Sequence, residues 1–258
     1  MRSTKHGVWS MPFALAVAAA IVSVTSPAMH AATSQNPNPR LYLPGTSPFG
    51  ASFGEWTAAW WRWAFSLPVA NHPLFDTGSC DTGQAGPVWF LGGAFTGTAT
   101  IRDCTVPAGT ALLIPVLNSE CSDVEPPPFF GADEAEMLAC ARAFMDTGTD
   151  LFASIDGRAV DDLALYRVSS PLYSFSAPDG GLFGGATAGN SVSDGVWLFL
   201  QPLAPGEHTI HFGGSFPGFP LDVTYNLTVQ PGGRRRGAID AGPGAETSTW
   251  GLVKSLYR

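Results

Sequence analysis

The chain has 258 residues and a formal charge of -8, and the acidity is concentrated: between Thr33 and Val229 there are 19 Asp and Glu against 6 Arg and no Lys, giving -13. A surface of that sign repels nucleic acid and anionic polysaccharide, and it suits calcium, cationic partners or neutral glycans. The length beyond the leader described next is enough for one sizeable core, and a single domain over 52–229 is expected.

Residues 1–32 read as a secretory signal peptide: Arg2 and Lys5 precede an apolar run from Met11 to Val24, and Ala28, Ala31 and Ala32 offer small-residue cleavage positions. The run is too short to span a bilayer, so no stable membrane anchor is expected and the mature chain belongs in a secreted or periplasmic setting. Residues 33–51, rich in Pro, Asn and Ser, form an extended lead-in. Ser52 followed by Glu55 is a capping box, so EWTAAWWRWAF is a helix, and Pro68 stops it. Trp56, Trp60 and Trp63 share one face of that helix, a packing stripe, while Trp61 and Arg62 point elsewhere and are the candidates for ligand contact.

From Pro87 the pattern is strands. VWFLG, GTATIRDC and TALLIPVL come first, with Pro115 placing the third at an edge or a bulge. A second helix from Asp133 to Met145 takes Asp133 as its cap. A hairpin then turns at Asp156-Gly157, with LALYRV continuing as strand. After a glycine-rich stretch, VWLFLQ, EHTIHF and the alternating LDVTYNLTV close the domain. The fold class is mainly β: an antiparallel β-sandwich or jelly roll with two packed helices. Residues 230–258 lose periodicity and read as a disordered tail. Of the three pairings that four cysteines allow, Cys80 with Cys104 and Cys121 with Cys140 close short loops around evident turns.

Asp-Thr-Gly occurs at Asp76, Asp81 and Asp146, which raises an aspartic peptidase. Asp76 and Asp146 are too close in sequence for two lobes, and the triplet is also a common turn with Asp capping its own backbone and Gly at positive φ. His208 and His211 fall on opposite faces of a strand and cannot chelate one ion. Asn118, Glu120, Asp123 and Glu125 offer oxygen ligands for calcium around Cys121, without EF-hand spacing. No nucleophile elbow, zincin motif or phosphate loop is present, and no organic cofactor is implied.

The stretches GQAGPVWFLGG, IRDCTVPAGTALLIPVLNSE and VWLFLQPLAPGEHTIHFGG resemble, in order, a group of uncharacterised exported bacterial proteins. The group lends no activity. The resemblance implies that Asp76, Cys80, Gln84, Trp89, Arg102, Cys104 and Asn118 belong to one constellation. The functional expectation is an exported protein acting on an extracellular glycan, as a hydrolase with a carboxylate pair drawn from Asp76, Asp81 and Glu120. The alternative is a glycan-binding or envelope-associated module using Trp61, Gln84, Trp89, Arg102 and Asn118.

Overall fold

The computed structural model describes residues 36–38 and 40–231. The signal peptide and all but the first two residues of the tail lie outside them. Ten strands and two α-helices follow in order: α1 (Phe53–Phe65), β1 (Val88–Phe90), β2 (Thr100–Pro107), β3 (Ala111–Ser122), α2 (Glu134–Met145), β4 (Thr149–Ile155), β5 (Arg158–Ala159), β6 (Arg167–Ser169), β7 (Tyr173–Ala177), β8 (Thr187–Leu200), β9 (Gly206–Phe216) and β10 (Phe219–Gln230).

The strands form two stacked sheets, β1-β3-β8-β6 with β7 also on β8, and β2-β10-β9-β4-β5. The expected sandwich with two helices is present, but each sheet is mixed: β1 runs parallel to β3, and β2 parallel to β10. Leu112, Ile114, Val196, Leu198 and Leu200 of the first sheet meet Val106, Ile210, Phe212, Val223, Leu227 and Val229 of the second in the main core. The other face of the first sheet is covered by α1, where Phe53, Trp60, Trp63 and Phe65 pack on Leu113, Trp197 and Phe199. Covering on both faces explains why TALLIPVL and VWLFLQ are continuous apolar runs. β10 lies with one face solvated and keeps strict alternation.

The local signals act as their chemistry requires. Ser52 and Glu55 form the reciprocal capping box, with the Ser52 N–H donating to the Glu55 carboxylate at 2.7 Å. Asp133 caps α2 by accepting from the Glu136 N–H at 2.9 Å. Asp156 and Gly157 both take positive φ, 52° and 75°, as a two-residue hairpin turn demands. Pro115 produces a bulge in β3, between Pro115 and Leu117, and not an edge position, because β1 and β8 flank that strand. Both disulfides pair as expected, Cys80 with Cys104 and Cys121 with Cys140. The first fastens the loop after α1 to β2, and the second fastens α2 to β3.

Three elements differ from the sequence reading. LALYRV is no single strand: Leu163–Tyr166 is a 3-10 turn and only Arg167–Ser169 is β. Leu41 bridges Leu200 and is buried, so the lead-in docks on the end of β8. Part of the glycine-rich stretch belongs to β8, against which β7 pairs.

Candidate functional site

Past the bulge, β3 turns its residues over, so Asn118 and Glu120 face α1 while Leu117 and Cys121 face the interior and α2. β1 covers only residues 111–113 of β3, and the next bridge on that side is Ser122 with Phe130. The stretch 117–120 therefore forms the floor of a pocket with about 90 Å³ of free space. That is room for a small polar group together with a few waters. Its walls are Trp60 and Trp61 from α1, Leu74 and Phe95 from loops, and Phe129, Phe144, Phe216 and Phe219 around the far rim.

Glu120 is the one ionisable side chain in that lining, and it is only 3% exposed. Its carboxylate accepts from the Ser191 hydroxyl at 2.9 Å. Burial, then the Glu120 charge, push the neighbouring Tyr173 hydroxyl well above its usual range. Asn118 is half-buried beside Gly195 of β8, where a side chain could not fit: a Cβ there would stand 2.4 Å from the Asn118 Cβ. Trp61 is 5% exposed, so it is a pocket wall and not the exposed platform expected of it, and its ring packs against Trp60 and Phe65. Its indole N–H has no hydrogen-bond partner. Arg62 does face outward, donating to the Ser174 carbonyl at 3.0 Å with its guanidinium over the Tyr173 ring.

The remaining expected residues build the pocket's support. Arg102 Nε donates to Asp76 at 2.6 Å, and Nη1 donates to the Gly92 and Gly93 carbonyls and the Tyr225 hydroxyl. Tyr225, fully buried, also donates to the Gly92 carbonyl at 3.0 Å. This network holds the backbone leading into Gly93, Ala94 and Phe95, one wall of the pocket. Leu74, on the same wall, is held by its N–H donating to His72 Nδ1 at 3.1 Å. Gln84 clamps its loop to β1, donating to the Cys80 and Phe90 carbonyls and accepting from the Phe90 N–H. Trp89 packs into the main core. Asp76, Cys80, Gln84, Trp89, Arg102 and Cys104 thus gather around β1, β2 and the loop between them and α1, while Asn118 is in the pocket they brace.

The three Asp-Thr-Gly triplets have separate partners. Asp76 pairs with Arg102, Asp81 accepts from the Ser79 hydroxyl, and Asp146 pairs with Arg167. In the first, Asp76 and not the glycine takes positive φ, at 55°, and Gly78 is required because a Cβ would meet the Asn71 backbone at 2.6 Å. The second behaves as expected, with Gly83 at 68°. Of the calcium candidates, Asp123 accepts from the Asn190 side chain and N–H, and Glu125 from the Ser122 hydroxyl. Among the described residues no three His, Cys, Asp or Glu side chains converge as metal ligands.

Residues not singled out in the sequence are the rim rings, Phe95, Phe129, Phe144, Phe216 and Phe219. They come from two loops, a helix, the end of one strand and the start of another, so no periodicity links them. The one signal available was the density of Phe in turn-flanking positions, where burial would otherwise favour polar residues. Compared with protein-family models, with curated proteins and with solved structures, the chain finds no match.

Proposed function

We propose that the chain is an exported, disulfide-braced binding domain whose aromatic pocket takes one substituent of an extracellular glycan. The observation that carries this reading is the convergence of Trp61, Asn118 and Glu120 on one ring-walled pocket. Aromatic walls suit the apolar faces of a sugar, and an amide with a carboxylate suits its polar edge. Two disulfides fit an oxidising compartment, and among the described residues no helix is long and apolar enough to cross a membrane.

Binding is favoured over hydrolysis because the lining supplies one carboxylate, whereas glycosidases place two on either side of the scissile bond. Asp76 and Asp81, the other members of the expected pair, are engaged outside the lining, with Arg102 and Ser79. The peptidase reading needs two carboxylates sharing a proton, and none of the three Asp-Thr-Gly carboxylates partners another.

The test is incubation of the mature protein with a panel of neutral and acidic polysaccharides, reading both retention on each polymer and new chain ends. Retention on at least one neutral polymer without product is expected, and Trp61→Leu should abolish it. Product formation would return the assignment to an enzyme; the absence of any retention would remove the glycan reading.

A further inference from the structure

Resting on that reading, we propose that the group entering the pocket is an ammonium, so that the ligand is an amino sugar carrying a free amine and not its N-acetylated counterpart. The pocket's one ionisable side chain, Glu120, is an acid and only 3% exposed, so a charge carried there is screened little by solvent. The same lining carries the rings of Trp60, Trp61, Phe95, Phe129, Phe144 and Phe216. A carboxylate at the base of a ring-walled pocket matches a cation twice, by direct charge attraction and by the negative faces of the rings. A neutral hydroxyl matches neither as well, and an acetamide removes the charge while adding a methyl that the pocket's small free space must also hold.

The rest of the molecule reinforces the sign. Residues 33–229 carry 19 Asp and Glu against 6 Arg and no Lys, so a cationic oligosaccharide approaches down a favourable gradient. Four of the six arginines are committed elsewhere, Arg102 to Asp76, Arg167 to Asp146 and Asp194, Arg62 to the Tyr173 ring and Arg142 to the Ser169 hydroxyl, and Arg40 and Arg158 line a separate cavity. None lines the pocket. Asn118, whose side-chain oxygen is a hydrogen-bond acceptor, stands two residues from Glu120 on the same strand face and supplies a second oxygen for an ammonium's three donors.

The experiment is calorimetric titration of the unmodified mature protein with four probes: a β-1,4-linked glucosamine tetramer, its fully N-acetylated counterpart, the corresponding glucose tetramer, and choline. The glucosamine tetramer should bind about tenfold or more tightly than either neutral tetramer, and added salt should narrow the gap. In Glu120→Gln, with folding checked by circular dichroism, the preference should disappear. Equal binding of all three tetramers overturns the ammonium inference and leaves the glycan reading standing. Choline binding with no tetramer binding removes the glycan reading and keeps the ammonium site. If none of the four binds, both fall. Because the probe series is run on the unmodified chain, an unfolded variant does not rescue the idea.

Discussion

His72 has no exposed surface, yet it is a titratable ring packed against Trp63 and Phe75. Its Nε2 lies 2.9 Å from the Ala64 carbonyl and its Nδ1 accepts from the Leu74 N–H, a pattern that only the neutral ring with the proton on Nε2 satisfies. Burial lowers its pKa from 6.5 to about 4, opposed by the Ala64 carbonyl and assisted by the nearby Arg102 charge. The unfolded chain therefore takes up a proton that the folded chain refuses as pH falls from 6.5 to about 4, and stability declines across that window. The linked loss is about 3 kcal/mol at the acid end. Thermal unfolding followed from neutral pH down to about 4 should show this, and His72→Gln should flatten that part of the curve relative to wild type. Parallel curves for the two proteins would mean that His72 does not govern the acid limb. The consequence reaches the pocket, because protonated Nδ1 can no longer accept from Leu74, a wall residue.

At the scale of elements, the helices and most strands were legible because each rests on a short-range signal: a capping box for α1, an Asx cap for α2, an Asp-Gly turn between β4 and β5, and strict alternation in β10. The parallel pairs were not, since β1 with β3 and β2 with β10 are joined by registers that no local pattern encodes. The pocket was half legible. Trp61, Asn118 and Glu120 stood out as residues, but which face Asn118 and Glu120 present is set by the bulge after Pro115, whose sequence signal gives a kink without its direction. Gly195 is the other half of that device. It faces Asn118 across the β3–β8 pair, and a methyl there would overlap the Asn118 Cβ at 2.4 Å with the backbone Cα at 2.8 Å. Gly195→Ala should therefore cost about 1–3 kcal/mol by overpacking and displace Asn118 from the pocket floor. Denaturant unfolding gives the stability change, and weakened ligand retention gives the displacement. Unchanged stability together with unchanged retention would show that the strand pair relaxes without moving the site.

For the molecule as a whole, the sandwich is closed by apolar contact but the pocket side is held by cross-links. Cys80–Cys104 spans 24 residues and Cys121–Cys140 spans 19. The first ties β2 to the loop that carries Gln84 and Asp76, and the second ties β3, the pocket floor, to α2, which contributes Phe144 to the rim. Loops of this length contribute about 3 kcal/mol each by restricting the unfolded chain. Against a total of about 5–15 kcal/mol for a folded domain, losing both removes a large share. Native mature protein should thus show no thiol on alkylation and mass spectrometry, since both pairs are closed and no described cysteine is free. Reduction should lower the unfolding free energy by about 6 kcal/mol in all if the two loops act independently. The Cys121→Ala, Cys140→Ala double variant should lose ligand retention more than the Cys80→Ala, Cys104→Ala double variant, because only the former frees the strand that carries Asn118 and Glu120 from the helix that closes the rim. Equal losses of retention in the two double variants would show that the cross-links stabilise the fold without shaping the pocket.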